Sequence, residues 1–138
     1  FDTSVTVGDT VANTTALLAN NVYATDDLVA SFSSDHKLKD HVVKIDTALD
    51  KVESIGGYQF VWNNNIGDMR AGTHDYGVIA QEIEDVLPHA VDINSRGHKT
   101  VNYNNLIPLL VEAVKELSAR VKELEPEPEE EHEEDIDG

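Results

Sequence analysis

LIPLLVEAVKELSARVKEL, residues 106–124, carries a hydrophobic pattern that narrows along its length. Ile107, Leu110, Val114, Leu117, Val121 and Leu124 follow 3-4-3-4-3 spacing. That is the a/d seam of a heptad repeat, held over about two and a half heptads. A helix lying on a globule needs a broader stripe at 3.6-residue spacing. Leu106, Leu109, Val111 and Ala113 supply that breadth in the first half, and the second half is a narrow seam among Lys and Glu. The expected helix docks on its own domain first and then forms a coiled coil with other copies. Its acids, Glu112 and Glu116 among them, are expected on the solvated face. A seam this short is marginal alone, so the globular part must associate as well. Ile or Val at a with Leu at d favours two strands in isolated parallel coils.

Ahead of this helix the patterns are short and mixed. Ala48, Leu49, Val52 and Ile55 give a helical stripe that Asp46 can cap and Gly56-Gly57 stop. Its start is open, because Leu38, Val42 and Ile45 could extend it. YQFVW, residues 58–62, reads as a strand from its aromatic and β-branched content. NNNIGDMRAGTHD reads as a loop, YGVIA (76–80) as a second strand, and AQEIEDVLP as a short helix ended by Pro88. AVDI and KTVNY flank the turn NSRGH as a hairpin. The expected class is α+β: a small strand-and-helix domain with a long C-terminal coiled-coil helix.

The two ends differ from this body. Residues 1–31 contain no Lys or Arg and are rich in Thr, Val, Ala and Asn. Val5 and Val7 alternate with polar residues as a short strand, and Gly8-Asp9 is a turn signal. The segment reads as the end of something preceding it, and a start at Phe1 suits a piece of a longer or processed polypeptide. EPEPEEEHEEDIDG, residues 125–138, holds nine of the 27 acids, two prolines and no Lys or Arg. It reads as a disordered, solubilising tail.

The net charge is −17, and without the tail 18 acids still face ten bases. Nucleic-acid binding through phosphates is therefore not expected. With no cysteine, disulfides and thiolate metal sites are excluded. No apolar run approaches the ~18 residues of a membrane span, so no membrane partner is expected. A chain of 138 residues, 40% of them hydrophobic, makes a small core, and oligomerisation would help it.

SSDHKLKD, residues 33–40, admits two readings. Ser and Asp often precede helices because their oxygens accept orphan backbone N–H bonds, which would leave the lysines in water. Alternatively Ser34 is a nucleophile and Lys39, five residues on, its base. That reading needs Lys39 neutral, through burial or nearby positive charge, so that the amine can take the hydroxyl proton. The histidines show no HxxxH or HExxH spacing, so no metal site is expected. His74, just before YGVIAQE, is kept as a candidate polar partner, and Asp35 and Glu82 as groups that could orient such a site. No Gly-rich phosphate loop and no GxSxG elbow occurs.

The order SD-x-K-LK, helix, Y-x-F-x-W, YGVIAQE-x-E-x-VLP, then VNY-x-x-LIPLL-x-EAVKEL resembles the chaperone of endosialidase, or peptidase S74, family. These are C-terminal intramolecular chaperones of phage tail spikes, tail fibres and neck appendages. The resemblance covers about residues 33–124, most specifically 34–39 and 77–82. It implies a homotrimer that holds three chains together while an upstream β-structured fibre folds, then cuts itself off through a serine–lysine dyad. Matched residue by residue, the serine is Ser34, the lysine Lys39 and the aspartate Asp35. Lys37 stands where Arg is common. Tyr58, Phe60, Trp62, Gly77, Ile79, Ala80, Gln81 and Pro88 match mainly structural positions.

The resemblance implies three regions: 1–33 as the end of the fibre shaft, 34–124 as the self-cleaving chaperone, and 125–138 as the acidic tail. The expected scissile bond is Ser33–Ser34, with Ser34–Asp35 as the alternative. Partners are two further copies and the upstream fibre of the same chain, with no cofactor. The implied setting is a virion fibre or spike precursor assembled in the host cytoplasm, with the chaperone released after the cut. Two other functions fit less of the sequence. A pure trimerisation module would leave the dyad idle. The self-cleaving module of membrane-tethered transcription factors would need a basic region and a membrane span nearby.

Overall fold

The computed structural model describes residues 21–128. The expected strand at Val5–Val7, the turn at Gly8-Asp9 and most of the acidic tail lie outside them. The chain divides after Asp40 into two units, 1–40 and 41–138. In the first, residues 21–35 run exposed without helix or strand and end in a single 3-10 turn, His36–Leu38.

The second unit is α+β, as the patterns predict. Helix α1 (Ala48–Glu53) is followed by strands β1 (Tyr58–Val61) and β2 (His74–Gly77), helix α2 (Ala80–Val86), strands β3 (Val91–Ile93) and β4 (Lys99–Val101), and helix α3 (Leu106–Leu124). The strands form two antiparallel pairs, with Tyr58 opposite Gly77 in one and Val91 opposite Val101 in the other. The core joins the first helix to the last. Ala48, Leu49, Leu109 and Ala113 are buried together, and Ile45, Val52, Ile55 and Leu87 pack against them.

Three sequence expectations are corrected. Asp46 does not cap α1: its carboxylate and carbonyl both accept from the Lys51 ammonium. The N-cap position is Thr47, which sits at φ 45° and makes no side-chain cap bond. Nor does Glu116 lie on a solvated face. Its two carboxylate oxygens accept the Ala48 and Leu49 N–H groups at 2.9 and 2.8 Å. These are donors that a helix start leaves without partners. The second strand is His74–Gly77, not 76–80. It ends where the Val78 N–H turns to the Tyr103 hydroxyl instead of a strand partner, at 3.1 Å.

The aromatic motif now has a physical reason. Tyr58, Phe60 and Trp62 alternate, so they share one side of the strand. The Tyr58 hydroxyl donates to Glu82 on α2 at 2.7 Å. Phe60 meets Trp62 edge-on at 4.9 Å. The Trp62 indole donates to Asp75 on the opposite strand at 3.1 Å, and the Arg70 guanidinium lies 4.8 Å from its ring centre. Arg70 in turn forks onto Asp68 at 2.7 Å, which draws that carboxyl down to about 2. Gly77 is required by crowding: a Cβ there would lie 2.5 Å from the Tyr103 hydroxyl and 3.2 Å from Phe60.

Candidate active site

Ser34 and Lys39 are brought together by the 3-10 turn between them. Asp35 begins that turn by accepting the Lys37 N–H on its carboxylate at 2.9 Å. Two backbone bonds close it, Leu38 N–H to Asp35 at 3.0 Å and Lys39 N–H to His36 at 3.1 Å. The chain leaves the turn extended at Lys39, and the lysine Nζ then reaches the Ser34 Oγ at 2.7 Å. The two features of SSDHKLKD, a capped turn and a serine–lysine contact, thus occur together. The carboxylate of Asp35 is the cap, which leaves the hydroxyl of Ser34 for the amine of Lys39.

A serine oxygen within hydrogen-bond reach of a lysine nitrogen is the minimal arrangement of a nucleophile and a general base. Both side chains are exposed on the single chain. Proton abstraction needs the neutral amine, a form that burial favours.

Two other candidates, His74 and Glu82, belong to the second unit. His74 is the first residue of β2, opposite Val61, and is exposed. Glu82 lies in the first turn of α2, where one oxygen accepts from Tyr58 and holds that phenol above its usual range. The other oxygen of Glu82 is buried with no hydrogen-bond partner among the described residues. Asp35, the third candidate, is spent on its backbone cap. Among the described residues no group of three or more His, Asp or Glu side chains is placed to hold a metal ion. No helix among them is long and apolar enough to cross a membrane.

The seam residues of α3 are all on the described surface. Ile107, Leu110, Val114, Leu117, Val121 and Leu124 are each about half exposed or more. Docking uses a different face, Leu109 and Ala113, with Glu116 beyond them. Glu116 and Tyr103 are the two structural residues that pattern reading missed. The signal for Glu116 was its place in the run Leu109, Ala113, Glu116, which has the same 4-3 spacing as the seam. Tyr103 carried no signal beyond its place in VNY.

Residues 34–92 match the Peptidase_S74 family, described as the chaperone of endosialidase. The match opens at Ser34 and includes Lys39, His74 and Glu82. The proteins this chain resembles are phage tail fibres. It is 48% identical over 96 residues to Long tail fiber protein Gp37 of Enterobacteria phage K3, covering 67% of this chain and 8% of the relative. Identity to the Gp37 of Enterobacteria phage T2 is also 48% over 96 residues, with 67% and 7% covered. The Gp37 of Salmonella phage S16 is 32% identical over 97 residues, with 67% and 13% covered. The chain therefore spans less than a tenth of the length of the first two relatives.

Proposed function

We propose that this chain carries the C-terminal intramolecular chaperone of a phage tail fibre or spike. It trimerises the fibre, assists its folding and releases itself by serine–lysine autoproteolysis near Ser34. On this reading residues 1–33 are the end of the shaft, 34–124 the chaperone and 125–138 an appendage. Assembly takes place in the host cytoplasm, and the cut fibre goes to the virion. The observation that carries the reading is the 2.7 Å contact from Lys39 Nζ to Ser34 Oγ, inside the segment that matches the family.

The chemistry follows from ring size. The Ser34 Oγ can reach the carbonyl carbon of Ser33 through a five-membered ring as Lys39 takes the hydroxyl proton. The C–N bond between Ser33 and Ser34 breaks, and the Ser34 nitrogen takes up the proton. The product is an ester between the Ser33 carbonyl and the Ser34 oxygen. Water opens the ester, leaving a carboxyl on Ser33 and a free amine and hydroxyl on Ser34. Attack on its own carbonyl would need a four-membered ring, so cleavage at Ser34–Asp35 would call for the serine of another copy. Assembly gates the step, because burial of Lys39 by trimer formation favours the neutral amine.

The physical purpose is kinetic. A trimeric β-shaft pairs chains non-locally, which is slow and exposed to aggregation. Joining three C-terminal ends raises their local concentration, and the later cut removes the folding aid. Ser34→Ala and Lys39→Arg are expected to fold, trimerise and stay uncut on a denaturing gel, since a guanidinium cannot act as a base near neutral pH. Mass spectrometry of the wild-type fragments places the bond. Normal cleavage in Ser34→Ala would overturn the catalytic assignment and return SSDHKLKD to a capped turn; an uncut wild type would leave a trimerisation module.

A further inference from the structure

Helix α3 offers two lengthwise faces. Leu109 and Ala113 are buried, Glu116 caps α1, and Arg120 reaches Asp50 of α1 at 3.7 Å. Each seam residue Leu110, Val114, Leu117 and Val121 is one position further along the chain. One residue turns an α-helix by roughly 100°. The α1 helix therefore sits beside the seam without covering it.

With Ile107 at an a position, Leu106, Ala113 and Arg120 fall at g and Val111, Ser118 and Glu125 at e, Glu125 being the residue that caps the end of α3. In parallel, in-register helices a g residue meets the e residue five places on in the neighbouring helix. That rule sets Leu106 against Val111 and Arg120 against Glu125, while Ala113 between them is already covered by α1 of its own chain. The pairs are apolar with apolar and positive with negative. Val111, Arg120 and Glu125 are all exposed on the single chain. An antiparallel arrangement would set g against g and e against e, and Arg120 would lose its acid.

We propose that these flanks, and not the a/d seam, fix the parallel in-register orientation of the copies. Arg120 is shared between Asp50 of its own chain and Glu125 of the neighbouring copy, so it ties α1 to the next subunit. The inference rests on the trimer reading above and adds the residues that select direction and register.

The test is sedimentation equilibrium of the full Ser34→Ala chain, which cannot alter its own length on the proposed mechanism. Asp50→Asn serves as background, so that changes at Arg120 do not create repulsion within the chain. Glu125→Lys is expected to weaken association by about tenfold or more, because three like-charged contacts replace three ion pairs. Adding Arg120→Glu is expected to restore association by reversing both signs. The loss should shrink at high salt, as it does for exposed charges. A trimer indifferent to Glu125→Lys, or one not rescued by Arg120→Glu, overturns the flank assignment and leaves the trimer standing. A monomer in the Asp50→Asn background and in its parent alike overturns the trimer reading itself.

Discussion

Glu116 accepts the Leu49 N–H at 2.8 Å and the Ala48 N–H at 2.9 Å, so the last helix supplies the cap that the first helix lacks. The two backbone bonds, Leu49 first, lower the Glu116 carboxyl below its usual range. A carboxyl lowered on folding stabilises the native state fully above its unfolded value, and that stabilisation fades as pH falls through the native one. The unfolding temperature of the wild type should therefore fall as pH drops below about 4.5. Glu116→Gln is expected to unfold at lower temperature at pH 7 and to show a shallower acid decline. An unchanged acid decline in Glu116→Gln would place the pH sensitivity elsewhere, with Asp68 next in line.

Thr47 holds φ 45°, a left-handed conformation that a β-branched residue adopts only under strain. Thr47→Gly should stabilise the domain by about 1 kcal/mol by relieving it. Thr47→Val should bring no gain. Chemical denaturation with an unchanged m-value would measure both.

Gly77→Ala pushes a methyl group into the Tyr103 hydroxyl and against Phe60. The tyrosine must move and give up the Val78 N–H, so a loss of about 1–3 kcal/mol is expected. Tyr103→Phe alone should cost about 1 kcal/mol for the lost bond. The two together should cost less than their sum, because removing the hydroxyl opens the space the methyl needs. A double-mutant cycle with strict additivity would contradict this geometry.

Leu109 and Leu117 lie on the same helix but should fail differently. Leu109 is fully buried against α1, and Leu109→Ala should unfold the domain by about 2–5 kcal/mol. Leu117 is 49% exposed, and Leu117→Asp should leave the single-chain fold intact by circular dichroism. Its effect should appear in sedimentation, where carboxylates meeting in a desolvated seam drive the copies apart. A Leu117→Asp chain that still associates would remove α3 from the interface.

Much of this was legible because it is local. Helical periodicity located α1 and α3, aromatic and β-branched content located β1, the turn NSRGH located the β3–β4 hairpin, and the spacing of Ser34 and Lys39 survives as a contact. What the sequence hid was tertiary. Asp46 looks like a cap in isolation, yet the donors it could have served are taken by a carboxylate from α3. Tyr76, Val78 and Ile79 make YGVIA look like a strand, yet Tyr103 takes the Val78 N–H and Ile79 opens α2. Glu116 was hidden by the seam itself, since the a/d frame draws the eye to one face of a helix that uses two.

The cap on α1 also sets an order in time. Glu116 lies 68 residues beyond Ala48, and a ribosome delivers residue 48 first. Until α3 emerges, α1 is a short helix with open donors and half a core. The domain can close only after nearly all of its sequence has been made. A chain that stops short of α3 would stay unfinished, so completion of the fold doubles as a check that translation reached this far.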